Sequence, residues 1–409
     1  MSDEQPTVSA LGADGWFSPG VAGIGGASFL ADLGHEIPTS LLPSLLTNVL
    51  HAPASALGII EGISDAAAGV ARLAGGMLAD DPGQRRNVAV GGYTTTAILS
   101  AGLGAVAAPW QAGVLRAGAW SARGLRVPAR NALLADIVPP AVYGRAYGFE
   151  RAMDNLGAIG GPLLAIGLVA AVGVRSAIAL SVVPGLLAAV AIIYAIRHTA
   201  VPKQRDHQPI RLRVRPVLRG RLGRIMIGVT AFELGNCAAT LLILRATDLF
   251  RPAHSSTGAT QLALVLYVFY NVAATVVSIP AGRHGDRTSP IRVLAAGAVC
   301  FAAGYVWFAI GSHNPVVLAP AFILAGIGIG CAETAQSAAV AALAPVDLRG
   351  SAFGLLATAQ AVANLTASAV AGILWSAVSP TAAFVFLAAA MAVSVPLIVA
   401  SRARPVRPS

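Results

Sequence analysis

The sequence predicts an all-α integral membrane protein with twelve transmembrane helices in two six-helix halves, and three observations predict it. Of its 409 residues, 56% are hydrophobic and only 11% are charged, whereas soluble domains are about a quarter charged. Apolar runs of about 20 residues recur along the whole length, each long enough to cross a hydrocarbon core of roughly 30 Å as a helix. Polar signatures recur at one fixed offset, the mark of a duplicated unit. Helices are required because a backbone in lipid must satisfy its own hydrogen bonds, and the strict alternation of a membrane β-barrel is absent.

In chain order the spans are predicted at 21–49, 54–79, 88–108, 110–135, 142–172, 174–197, 223–247, 259–282, 290–311, 316–344, 350–377 and 380–401. Pro38 and Pro43 are placed to kink the first and expose carbonyls to a cavity. The fifth carries Gly157-x-x-x-Gly161-Pro162, a spacing that suits close helix packing, and Gly326-Ile-Gly-Ile-Gly330 in the tenth reads the same way. The long polar interval 198–222, rich in Arg and Pro, divides a first half (21–197) from a second (223–401) as a basic linker. The N-terminal segment 1–20 holds Asp3, Glu4 and Asp14 and no Lys or Arg, the reverse of a secretory leader, so no cleaved signal is expected. A tail, 402–409, closes the chain.

Orientation follows from the arginines. Arg85, Arg86, Arg145, the linker cluster, Arg283, Arg287, Arg292, Arg349 and the tail all fall on the side shared by both termini, and the opposite loops offer only Arg175 and Arg251. By the positive-inside rule both termini are expected in the cytoplasm. The net charge of +10 is then topology and lipid contact. No nucleic-acid partner is expected, because the basic residues are dispersed among loops without an aromatic-basic surface motif. Cys237, Cys300 and Cys331 stand singly without metal or disulfide spacing, and His35-Glu36 lacks the second histidine of a zinc motif, so neither metal nor cofactor is expected.

The repeat is specific. Gly76, Asp80 and Arg86 after the second span recur as Gly282, Asp286 and Arg292 after the eighth, at an offset of 206. The same offset aligns Pro139 to Phe149 without a gap on Pro345 to Leu355, after the fourth and tenth spans. Parallel halves with a site between them near the midplane are one plan of secondary transporters. Asp80 and Asp286, at helix ends, are placed to pair with a basic residue or cap the positive N-terminus of a neighbouring helix, and the glycines permit close approach. That arrangement predicts a latch for one conformation of two rocking halves. Neither copy has the lysine and spacing of a phosphate-binding loop.

The segment Gly76-x-Leu78-Ala79-Asp80-x-x-Gly83-x-Arg85-Arg86 resembles the loop signature of the major facilitator superfamily, and Gly282 to Arg292 resembles its degenerate second copy. The resemblance spans essentially the whole chain. Asp32 to Glu36 before Leu42-Pro43, Ile60-Glu61-Gly62, Arg116 through Arg130, and Arg151-Ala-Met-Asp154 before Gly161-Pro162 are similar to a bacterial branch whose members mostly have no assigned substrate. Ala119 and Trp120 depart from the Asp-Arg usual there, and Asp81 and Gln84 replace two usually basic loop positions. Membership implies alternating access and residence in a bacterial inner (plasma) membrane.

The fourth span poses the sharpest physical problem. Arg116, Arg123, Arg126 and Arg130 fall within an arc of roughly 80° on one helix face. A lipid-facing stripe of four, at about 2.5 kcal/mol each on the gentlest scale, would cost about 10 kcal/mol. The stripe must face protein or a water-filled cavity, with Arg130 placed to snorkel. Counter-charges four residues apart stand on neighbouring helices: Asp32 and Glu36, Glu61 and Asp65 with Arg72 on the same face, and Glu150 and Asp154.

The reading assigns Asp32, Glu36, Glu61, Asp65, Arg116 and Asp154 to proton coupling or the cavity. It assigns Asp80, Arg85, Arg86, Arg123, Arg126, Arg130, Glu150, Arg151, Asp286 and Arg287 to a cytoplasmic gating network. Paired charges of this kind also serve to fix helix register alone. The second half offers milder polar candidates for the cavity: Glu233, Asn236, Asn271, Glu333, Gln336, Gln360 and Asn364. The functional expectation is a secondary active transporter of a small solute, proton-coupled and working by alternating access in a lipid bilayer. A single copy suffices for that, and direction and substrate stay open. The alternative is a receptor that keeps the fold and binds ligand without flux. No catalytic constellation or ATP-binding loop points to an enzyme.

Overall fold

The computed structural model describes residues 16–199, 214–218 and 220–401, so the expected N-terminal segment up to residue 15, linker residues 200–213 and the tail lie outside the described residues. The first half runs α1 (Pro19–Ser44, continued by a π turn, Leu45–Val49), α2 (Ala54–Leu78), α3 (Pro82–Gly102), α4 (Pro109–Ile137), α5 (Tyr143–Leu180) and α6 (Val182–Arg197). The second runs α7a (Gly220–Glu233), α7b (Ala239–Phe250), α8 (Ser256–Arg287), α9 (Pro290–Ile310), α10 (Pro315–Leu343), α11 (Arg349–Ala377) and α12 (Pro380–Ala400).

Many of these helices start by one chemistry. Ser18, Asp81, Ser289, Asn314 and Ser379 each accept a backbone N–H of the first turn and are each followed by proline. The side chain satisfies an orphan donor while proline, lacking one, pre-sets the helical φ. Asp81 and Pro82 therefore start the third span earlier than the expected residue 88. Gly173, at φ 79° and ψ 168°, breaks α5 at the residue expected to divide the fifth span from the sixth, and the following turns lead through Ser181 into α6.

Large apolar side chains such as Ile310 (77% exposed) and Val316 (79%) cover the outside, as lipid contact requires. In the first half α1 packs on α5 and α6, α2 on α4, and α3 on α4 and α6; in the second α7a packs on α12, α8 on α10, and α9 on α10 and α12. The two halves share one packing plan. They meet where α2 lies on α11 and α5 on α8, with α4 and α5 also touching α11 and α10 respectively.

The expected single helix at 223–247 is two. Residues 234–238 leave the helix, and three of the backbone groups there find side chains. Cys237 N–H donates to the Tyr305 hydroxyl at 3.3 Å, Ala238 N–H to Ser368 Oγ at 2.8 Å, and Asn364 Nδ2 donates to the Asn236 carbonyl at 2.7 Å. Non-helical backbone at membrane depth survives only with such partners. At Gly235 a Cβ would stand 2.9 Å from the Met391 backbone nitrogen of α12, so the break is also where two backbones nearly touch.

Candidate functional site

Between described residues, every hydrogen bond joining the two halves lies at one end, that of the α2–α3 and α8–α9 turns. Asp286, near the end of α8, accepts Gly144 N–H at 2.6 Å and Arg145 N–H at 3.1 Å, and also takes Arg145 Nε at 3.1 Å. Gly144 and Arg145 stand in the first turn of α5, where N–H groups have no intrahelical partner and the helix dipole is positive. Asp80, after α2, does the same for α11: it accepts Ser351 N–H at 2.8 Å and the Ser351 hydroxyl. The acceptors and their targets are related by the offset of 206. At both places the backbones meet directly, since a Cβ on Gly144 would collide with the Gly282 carbonyl and one on Gly350 with that of Gly76.

A third link joins the halves at this end. Arg349 donates to Asp136 Oδ1 at 2.9 Å and to the Tyr143 hydroxyl at 2.7 Å, and Asp136 is also ion-paired with Arg85. Arg85 is 1% exposed and its Nε donates to the Ala79 carbonyl at 2.6 Å. Asp136 escaped the sequence reading because it sits beyond the apolar run, where a carboxylate looks like an ordinary helix end. Arg86 and Arg287, assigned with this group, make no ion pair among the described residues.

Away from this end the halves part around a central cavity of about 340 Å3. The first half lines it with Asp32, Arg72, Trp120, Arg123, Arg126, Arg130, Arg151 and Asp154, the second with Glu233, Asn236, Glu333, Gln360 and Asn364. Arg123, Arg126, Arg130 and Arg151, expected at the gate, stand here instead. Glu150 is buried behind them. Arg130 pairs with Glu150 at 2.7 Å and Asp154 at 3.3 Å, Arg151 with the same two at 3.3 and 3.4 Å, and Ser28 Oγ donates to Glu150 at 3.0 Å. Four charges thus compensate one another, the condition on which buried ions persist.

Asp32 holds Arg123 at 3.3 Å and His35 Nδ1 at 3.3 Å, while the other ring nitrogen of His35 lies 3.2 Å from Glu36. Arg126 is 2% exposed, lies with its guanidinium 4.1 Å from the centroid of the Tyr93 ring, and has no partner for Nε. On the other wall Glu233 accepts Asn236 Nδ2 at 2.9 Å and Gln336 Nε2 at 3.0 Å, and Gln336 in turn accepts from Gln360. Asn236 belongs to the break between α7a and α7b, so the discontinuity delivers its amide to the site.

Glu36, Glu61, Asp65 and Arg116, expected at the cavity, are not among its lining residues. Arg116, 1% exposed, pairs with Glu61 at 2.9 Å, donates to Thr39 at 3.1 Å and stacks 3.4 Å over Trp120, whose Nε1 donates to Asp65 at 3.1 Å. This lattice ties α1, α2 and α4 within the first half. Asn271 spends its amide on the Tyr267 carbonyl of its own helix at 3.0 Å and does not line the cavity. Gln336 is buried one layer behind it.

Comparison with known proteins adds four findings. The sequence matches the Major Facilitator Superfamily over residues 24–249 and 238–409. An uncharacterized MFS-type transporter of Methanocaldococcus jannaschii is 27% identical over 374 residues, covering 89% of this chain and 90% of that one. Among solved structures, the fucose:proton symporter of E. coli superposes with a TM-score of 0.73 at 15% identity, over 94% of this chain and 98% of its own. A bacterial homologue of the iron transporter ferroportin, in an outward-facing state, superposes with a TM-score of 0.72 at 17% identity, over 94% and 100%.

Proposed function

Because this chain belongs to the major facilitator superfamily, a family of membrane transporters for small solutes, we propose that it is a proton-coupled secondary transporter working by alternating access. The observation that carries the reading is the pairing of a polar cavity between the two halves with a closure confined to one end by Asp80 and Asp286. Arginines on the same side as the closed end favour a cytoplasmic location for it, in a bacterial plasma membrane. In that orientation the conformation described is closed toward the cytoplasm.

Asp32 is the proposed proton carrier. Of the carboxylates assigned to proton coupling or the cavity, Asp32 and Asp154 line it; Asp154 is spent on Arg130 and Arg151, whereas Asp32 holds both Arg123 and His35. Protonation removes the charge that fixes Arg123, so proton and guanidinium compete for one carboxylate, and a protonated Asp32 releases Arg123 to the solute. Opening the closed end then requires Asp80 and Asp286 to release their helix N-termini.

Flux in proteoliposomes tests the reading: purified protein, a library of metabolites and drugs, an imposed pH gradient and a fluorescent readout of lumenal proton. A solute-dependent proton signal that disappears in Asp32→Asn supports it. Solute movement without a proton signal would remove the coupling and leave facilitation, and binding without movement would favour a receptor.

A further inference from the structure

The charges around the cavity are segregated between its walls. Among the lining residues the first half contributes five arginines and two carboxylates, and the second contributes two carboxylates, three amides and no cation. The partners within each wall do not cancel this. Arg130 and Arg151 are consumed by Glu150 and Asp154. Arg72 makes no ion pair or hydrogen bond among the described residues, while Asp65, two turns earlier on α2, accepts from Trp120 instead. Arg123 uses one nitrogen on one oxygen of Asp32, and its side chain is 30% exposed. Arg126 has its Nε unpartnered. On the facing wall Glu333 has no ion pair among the described residues, and Glu233 is held by amides alone.

An unpaired charge away from bulk water is costly unless something in the cavity answers it. A solute with a single charge answers one wall and leaves the other. We propose that the cavity takes a small amino-carboxylate zwitterion, with its carboxylate against Arg72 and Arg123, backed by Arg126, and its ammonium against Glu333. Carboxylate on guanidinium is a charge-assisted pairing that also fixes direction, so the solute lies across the interface and each half holds one of its ends. The volume of about 340 Å3 sits at the low end of small-molecule sites. Trp120 with Ala68, Val127, Ile329 and Ala357 leaves room for a modest apolar side chain. This assignment deepens the transport reading and rests on it.

The test is binding to the full chain in nanodiscs, with the twenty common amino acids as probes and, for the tightest, its deaminated acid and its decarboxylated amine. The expected result is that one or more amino acids bind and that both analogues are weaker by about tenfold or more, as for loss of a charged hydrogen bond. Arg72→Gln should erase the advantage of the amino acid over the amine, and Glu333→Gln its advantage over the acid. The proposal is overturned if no amino acid binds, if either analogue binds as well, or if the variants leave these ratios unchanged. An amino acid that binds and does not cross the membrane overturns transport and leaves this site standing; flux of a singly charged solute with no amino acid bound does the reverse.

Discussion

Asp286 accepts the backbone N–H of Gly144 at 2.6 Å across the interface between the two halves, and its repeat counterpart Asp80 reaches Ser351 at 2.8 Å. A charge-assisted bond of this kind contributes about 1.5–3 kcal/mol, enough to shift a two-state population roughly tenfold or more. Asp286→Ala is therefore expected to open this end, read by electron-electron resonance as a longer distance between spin labels at Asn87 and Val346. The double variant with Asp80→Ala should shift it further; unchanged distances in both would contradict the clasp.

Gly144→Ala and Gly350→Ala act on the same closure by a different route. A Cβ at either position meets the backbone of the opposite half, so each variant should resist closing while its charges remain intact. The expected readout is the same lengthened label distance, together with slower solute flux.

Asp136 separates stability from gating. Asp136→Asn leaves the buried Arg85 without its ion partner, and breaking a buried pair costs about 3–5 kcal/mol. A clearly lower unfolding midpoint is expected for it. Arg349→Gln removes only the link to the second half, so the midpoint should move less while the label distance changes. Equal loss of midpoint in the two variants would contradict this division.

Asp32→Asn and Glu61→Gln should part company in proteoliposomes. The first is expected to abolish accumulation driven by a pH gradient while solute exchange continues. The second disturbs Arg116, which lies outside the cavity, so coupling should persist in a less stable protein. Coupling that survives in Asp32→Asn would remove Asp32 as carrier.

Most of the fold is legible in the sequence because hydropathy is a local signal, although it set the third span at residue 88 and passed over the start at Asp81 and Pro82. The boundary drawn between the fifth and sixth spans fell on Gly173, where the helix breaks, and the offset of 206 pointed to the paired aspartates. The break at 234–238 left no comparable trace, since its cause is the approach of Met391 and the reach of Ser368 and Asn364, residues far along the chain. For the site, periodicity showed that the arginines of α4 share a face. It did not show which would be answered by carboxylates, because Glu150 and Asp154 choose Arg130 and leave Arg126 to an aromatic ring. Nor did it show that Arg123, Arg126 and Arg130 line the cavity while Arg116 does not, because a helix has no internal marker of where its partner half ends.

In the clasp, Asp80 of the first half meets Ser351 of the second, while Asp286 of the second meets Arg145, the counterpart of Ser351, in the first. Contacts in which i meets j and j meets i define an isologous interface, the hallmark of a two-fold homodimer. Here a single polypeptide supplies both partners. One substitution in an ancestral six-helix unit, before duplication, would have altered both fastenings together, whereas the oppositely charged cavity walls required the copies to diverge.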